Sequence, residues 1–430
     1  MTFLRLLSRT KLYWGLAVLF AIGVAFSPVT SKGRNIFLTS GNLSDVLRQV
    51  SITGLVAVGM TMVILIGGID LSVGSILALG TVLAALLLTQ PGFTVAAGIA
   101  LPITFLVAMA GVALIVSFVS GQLGTGKSTA TATAIHQGRR RSTLSAIWLP
   151  LAAGIVVAGL LTLWLASQAG SQFGMPGVLI AVSCVGLAVG ALNGAIIVSG
   201  RLQPFIVTLA MMVTMLGLAR LVAGQDSAVV AVYSGTNATA DIDLLRAVLW
   251  GVLPVPGLFF LAALALFMVV LKFTAFGRYV YAIGGNEEAT RLSGIAVMPV
   301  KITTYAFSGM LACIAGVLYV AQYRQGKPDA GVGLELDAIA AVVIGGTSLM
   351  GGRGSLAGTL VGVLIFGLLT NILQLHNIST NVQLVMKGLI IILTVLLQER
   401  NLGQIFALLR ASPQAEAQDE KTYNKLEETP

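Results

Sequence analysis

Between Asp45 and Asp226 the chain carries one acidic residue, Asp70. Long apolar runs fill most of that interval, and similar runs follow it. A soluble domain of this length would need about a quarter of its residues charged. Here only 10% are charged and 57% are hydrophobic, with a mean hydropathy of +0.95. The chain therefore reads as a polytopic membrane protein. In a bilayer only helices or closed barrels satisfy the backbone, and these runs are too long and too unalternating to be barrel strands. The fold class expected is all-α, a polytopic bundle of transmembrane helices. The net charge of +9 does not point to nucleic acid. No basic-aromatic surface exists to stack bases, and Lys and Arg gather in short loops, as membrane orientation requires. Cys184 and Cys313 fall inside apolar spans, where buried free thiols are expected.

Arg5, Arg9 and Lys11 precede the first apolar run, Leu12 to Ser27. No small-residue cleavage site follows, so this is read as a retained helix with its N-terminus in the cytoplasm. Leu43, Val46, Leu47 and Val50 recur at helical spacing and suggest a short interfacial helix before the second span. Further spans are expected near residues 51–67, 71–89, 94–119, 144–167, 177–199, 205–223, 256–273, 302–321, 356–374 and 384–398. Residues 338–350 are apolar but too short to cross, which takes about twenty residues. They read as a tilted or re-entrant helix. Residues 224–246 hold Asp226, Asp241 and Asp243 and suit the outer face. The tail over 411–430 reads as disordered.

The polar stretch over residues 274–301 interrupts this pattern. Gly284 and Gly285 allow a sharp turn. Asn286 is a good N-cap, with Glu287 and Glu288 in the first turn where carboxylates suit the helix dipole. Arg291 falls near the end and Gly294 is placed to stop the helix. A capped helix of about two turns, held between two spans, is expected to serve as a handle for another protein, the competing reading being an ordinary connecting loop.

Three other features carry possible chemistry. Gly121, Gly126, Lys127 and Ser128 fit the phosphate-loop pattern, but the segment leaves an apolar span with no sheet to support it, so it is read as a basic loop. Asp70 sits in Gly67-Gly68-Ile69-Asp70-Leu71-Ser72-Val73-Gly74. An ionisable residue at membrane depth faces a partner or an aqueous cavity, or it simply caps the next helix. Ile66 to Gly74 and Ile344 to Gly352 share I-G-G-x-x-L-x-x-G, the second copy holding Gly345, Gly346, Thr347 and Ser348. Glycine-broken segments at corresponding places in two halves point to a translocation path. With 50 glycines in the chain, chance is the competing explanation.

The stretches GLVAVGMTMVILIGGIDLSVGSILALG (54–80), PFIVTL (204–209), GRYVYAIGGNEEATRLSGI (277–295) and ELDAIAAVVIGGTSLMGGRGSLAGTLVG (335–362) resemble the membrane permease subunits of bacterial monosaccharide ABC importers of the ribose, xylose and galactose type. That resemblance covers roughly residues 40–398. It implies one transmembrane permease domain with a core over 12–398, multi-pass in the plasma membrane, both termini cytoplasmic. It implies a second permease copy, cytoplasmic ATPase subunits that bind the ATP and Mg, and an extracytoplasmic sugar-binding protein. No cofactor or metal is expected in the chain itself, and no catalysis. Gly277, Arg278, Gly284, Gly285, Asn286, Glu287, Glu288, Arg291 and Gly294 would couple to the ATPase. Gly67, Gly68, Asp70, Ser72, Gly74, Gly345, Gly346, Thr347 and Ser348 are the candidates for the path. The resemblance implies a family core of about ten transmembrane helices; residues 92–175 depart from the family pattern as an insertion that carries two apparent extra helices. The competing reading, an ion-coupled secondary transporter, would need buried acidic or histidine relays, for which Asp70 is the main candidate.

Overall fold

The computed structural model describes residues 2–91, 94–124, 139–168, 173–224 and 228–399. The middle and end of the phosphate-loop lookalike, and the tail from 400, lie outside them. The described residues form fourteen α-helices and four two-residue strands. Six of the helices are long and apolar enough to cross a membrane: α2 (Ser40–Leu65), α6 (Met175–Gly200), α7 (Pro204–Ala223), α8 (Val255–Phe273), α11 (Val297–Tyr323) and α13 (Leu356–Leu375). This is a polytopic helical membrane protein. The remaining helices are α1 (Thr2–Ala25), α3 (Val73–Thr89), α4 (Val95–Gly124), α5 (Arg139–Gln168), α9 (Ala275–Gly285), α10 (Glu287–Leu292), α12 (Leu334–Ile344) and α14 (Thr380–Glu399).

The described residues fall into two compact units, one ending at residue 375 and one starting at residue 376. The second contains α14. In the first, α2 and α11 are the inner helices, and α3 is buried along nearly its whole length. Around them pack α6, α7, α8, α12 and α13. The segment at 92–175 supplies α4 and α5, which pack against each other, with α4 also against α6. Gly154 of α5 lies on the Met109 carbonyl of α4.

Apolar burial gains nothing between helices already in lipid, so close backbone approach must hold the bundle together. The α6–α11 seam shows it. A side chain at Gly186 would overlap the Gly309 carbonyl, one at Gly309 the Gly186 carbonyl, and one at Gly190 the Tyr305 carbonyl. Gly194 and Gly80 approach α11 in the same way, against Ile302 and Cys313.

Two local expectations need correction. No separate interfacial helix precedes the second span. Thr39 caps Asn42 and a single helix runs from Ser40 to Leu65. Leu43, Val46, Leu47 and Val50 are its first turns, because nothing between residues 40 and 65 breaks the backbone. Residues 338–350 do contain a short helix, but it starts earlier, at Leu334.

At the bundle end away from α10, β1 (Val230–Ala231) pairs with β4 (Gln325–Gly326) and β2 (Val248–Leu249) with β3 (Leu253–Pro254). Asp241 accepts the Met175 N–H at 2.5 Å and so caps α6. Arg324 pairs with Asp243 at 3.5 Å.

The seam makes a prediction. Gly190→Ala should destabilise the detergent-purified protein by about 1–3 kcal/mol through overpacking. Gly217→Ala on α7, where a Cβ meets nothing within 4 Å, should not destabilise and should gain up to about 1 kcal/mol of helix propensity. Equal melting temperatures for the two variants would mean that the seam does not hold the bundle together.

Candidate functional site

The site starts where α2 stops. The Gly67 N–H bonds to Ile64 at 2.9 Å and the Gly68 N–H to Val63 at 2.9 Å, with Gly67 at φ +76. This is a glycine-terminated helix end. The second copy of the repeat ends α12 in the same way. Gly346 bonds to Val343 at 2.8 Å and Thr347 to Val342 at 3.2 Å, with Gly346 at φ +86. The left-handed glycine is the first of the pair in one copy and the second in the other, so the structural match is one residue out of step with the sequence match. Gly345 lies against Gly358 of α13, Thr347 is fully buried, and the Ser348 N–H bonds to Arg353 at 2.9 Å.

Asp70 follows the first break and is fully buried. Its carboxylate accepts the Ser72 N–H at 3.1 Å, the Ser72 hydroxyl at 2.5 Å and the Ser308 hydroxyl at 3.0 Å. Because Ser72 donates to Asp70, it must accept from Asn193, whose amide lies 2.8 Å away. The result is a directed chain, Asn193 to Ser72 to Asp70, with Ser308 donating from the other side. It ties the α2–α3 break to α6 and α11. Among the described residues no Lys or Arg pairs with Asp70. Asp70 thus does both things left open by its position: it receives the N-terminal residue of α3 and it faces partners, in protein and not in an open cavity. Thr208 of α7, in the PFIVTL stretch, lies 3.1 Å from the Ile69 carbonyl and shares its proton with Pro204 at 3.0 Å.

The handle region has two helices, not one. Thr274 caps α9 by accepting from Gly277, whose own position allows the tight α8–α9 corner against Leu271. Gly284 and Gly285 do not form the turn expected of them. They are the last residues of α9, and the direction changes at extended Asn286. Asn286 then caps α10 through the Ala289 N–H at 2.9 Å, and Gly294 stops it at φ +82. Glu287 holds Lys301 at 2.6 Å and Glu288 holds Arg291 at 2.7 Å. Arg278 is exposed on α9.

The glycines that end α9 touch the first break. A side chain at Gly284 would overlap both the Leu65 carbonyl and the Gly352 N–H. Those two groups are themselves hydrogen-bonded at 2.9 Å. Gly351 lies on Gly67 and on Gly284, and Gly352 on Gly285. The structure therefore brings together the handle, the end of α2 and the loop after the second repeat. A cavity of about 690 Å³ opens beside this junction, lined by Gly67, Gly68, Arg201, Glu287, Lys301 and Tyr305 among others. The Tyr305 hydroxyl is buried beside Gly68, without a partner among the described residues.

Nothing in the sequence reading singles out Asn193, Thr208, Tyr305 or Ser308. Asn193 carries a usable signal, as an amide within an apolar span. The hydroxyl residues carry none, because Ser and Thr inside helices usually bond their own preceding turn.

A bundle of apolar helices broken at paired glycines, with the end of α9 packed against one break, is the build of a multi-pass membrane protein. A family model described as branched-chain amino acid transport system / permease component matches residues 148–395. The ribose import permease protein RbsC of Escherichia coli (strain K12) is 36% identical over 392 residues, covering 89% of this chain and 92% of that one. RbsC of Bacillus subtilis (strain 168) is 36% identical over 364 residues, covering 85% and 86%. The xylose transport system permease protein XylH of Haemophilus influenzae is 35% identical over 404 residues, covering 89% and 94%. No solved structure matches significantly. The chain belongs to this family of transport-system permeases, and that membership favours the permease reading over the ion-coupled one.

The buried network predicts an order of effects. Asp70→Ala strands the Ser72 and Ser308 hydroxyls and should cost more than Ser308→Ala, each orphaned buried group costing about 1–3 kcal/mol. Thermal unfolding in detergent reads the difference. Asp70→Ala as stable as the parent would mean that the network holds nothing together.

Proposed function

We propose that this chain is the monosaccharide-translocating permease of an ATP-driven importer in the bacterial plasma membrane. The names of its ribose and xylose relatives support the substrate class. The chain would act as a homodimer, without cofactor or metal of its own. Cytoplasmic ATPase subunits would bind ATP and Mg and dock on α10. An extracytoplasmic sugar-binding protein would dock on the opposite end, over the short strands and residues 228–254. Both termini would then lie in the cytoplasm.

One observation carries the mechanism. A side chain at Gly284 has no room because backbone from two other segments occupies its place. A push on α10 is therefore transmitted through α9 to the end of α2 and to the 351–352 loop with no flexible side chain between. The face that α10 shows to its surroundings suits a docking partner: Leu292 is 79% exposed next to the exposed Arg291–Glu288 pair. The exposed pair contributes little to stability on its own, so changing it should leave the fold intact. Closure of the ATPases would move the handles and shift the two broken helices, switching a bistable packing between access states. The candidate path residues Gly67, Gly68, Asp70, Ser72, Gly74, Gly345, Gly346, Thr347 and Ser348 would belong to that moving frame.

The test uses vesicles with the binding protein outside, ATP inside, and ion gradients collapsed. The parent should import sugar. Arg291→Glu combined with Leu292→Asp should lower import by about tenfold or more, as the loss of a docking hot spot does. Import that needs an ion gradient, or that survives the double change, contradicts the reading.

A further inference from the structure

Two short helices end near each other in the interior of the bundle. Ser308, which bonds Asp70, is the twelfth residue of the 27-residue α11, so Asp70 lies near the middle of the bundle. From there α3 runs toward the far end, where the Phe173 N–H bonds to its Leu87. The chain after β4 comes back along α3: Lys327 bonds Thr81 at 3.1 Å, and Gly331 lies on the Gly74 backbone. α12 starts at that level and runs toward the handle end, where Gly345 meets Gly358. The start of α3 and the segment leading into α12 thus meet at Gly74 and Gly331, and the two helices point away in opposite directions.

A cavity of about 120 Å³ lies at this meeting, lined by Gly74, Ser75, Ala78, Met212, Leu216 and Glu335 among others. That is well above the ~10–15 Å³ one water needs. Glu335 Oε1 accepts the Gly333 N–H at 3.2 Å, while Oε2 lies against Gly74. Ser75 donates to Ser72 at 2.8 Å and keeps lone pairs free. The lining thus combines the Glu335 carboxylate and the Ser75 hydroxyl with the apolar Ala78, Met212, Leu216 and Val332. A monosaccharide has that pattern, hydroxyls around its edge and C–H faces on its flat sides. A cation would find one carboxylate and too few oxygens, and an apolar ligand would leave Glu335 unsolvated.

We propose that this cavity is a monosaccharide subsite on the translocation path, with Glu335 accepting from sugar hydroxyls and Met212 and Leu216 flanking the ring. It rests on the importer reading for the identity of its ligand. The glycines at Gly74 and Gly331 serve it directly, since a side chain at Gly74 would overlap Glu335 Oε2.

The test has two arms. In proteoliposomes holding the permease with its ATPase and binding protein, Glu335→Gln should lower ribose or xylose import by about tenfold, the worth of a hydrogen bond to a charged group. Ala78→Phe, which fills the cavity, should do the same. ATP hydrolysis should stay near the parent's in both, and the melting temperature near the parent's in Glu335→Gln, which a structural role for Glu335 alone would not allow. In the second arm, Ala78→Cys in a Cys184→Ala, Cys313→Ala background is labelled with a small thiol reagent. Saturating ribose or xylose should protect it and leucine should not. Parental import by both variants, joint loss of import and hydrolysis, or absence of protection overturns the subsite. A parent that imports no sugar, while sugar still protects the thiol introduced at position 78, defeats the importer reading and leaves the subsite standing.

Discussion

The hydrogen bond from the Gly352 N–H to the Leu65 carbonyl, 2.9 Å long, with Gly284 laid against both groups, is the contact on which the rest depends. Three segments far apart in sequence meet there through backbone alone. Packed backbone has few alternative arrangements, so displacement of one segment is passed to the others and not absorbed by rotamer changes. That gives the exposed helix α10 a stiff route to the end of α2. It also explains why the residues there are glycines: each removes a Cβ that would separate the segments.

Beyond that junction the interior uses hydrogen bonds to set geometry. Asp70 fixes the break between α2 and α3 by holding Ser72, while Ser308 and, through Ser72, Asn193 bring in α11 and α6. In a low-dielectric interior such a network is strong when complete and costly when any member is missing. It therefore specifies one arrangement of the α2–α3 break relative to α6 and α11. The glycine seam between α6 and α11 provides the close packing that lets these short polar groups reach one another.

The helical class and the order of the apolar helices were legible in the sequence, because long charge-poor apolar runs in a membrane must be helical. Their number was not, since the expected interfacial helix is part of α2 and the single expected handle helix is two. The caps of α10 were legible too: Asn286 and Gly294 do what their residue types dictate. Gly284 and Gly285 misled. Glycine permits a turn, but it also permits close contact, and only the neighbouring chain decides between them. The early start of α12 was hidden because Glu335 and Asp337 lie before the apolar run that marked the helix, although acidic residues suit a first turn. The repeat at Ile66 and Ile344 was visible as a pattern. Its structural counterpart, two glycine-ended helices offset by one residue, was not, because sequence alignment fixes letters and not the position of the left-handed residue. The Asp70 partners were hidden because Ser308 is separated from it by 238 positions.

The most direct measurement compares Gly284→Ala with Gly285→Ala in the reconstituted transporter, following ATP hydrolysis and sugar import together. A Cβ at position 284 overlaps the Leu65 carbonyl and the Gly352 N–H, whereas one at position 285 meets nothing within 4 Å. Stiff backbone coupling predicts that Gly284→Ala hydrolyses ATP while import falls by about tenfold, the scale expected from a misplaced coupling contact, and that Gly285→Ala behaves as the parent. Equal import by the two variants would contradict it.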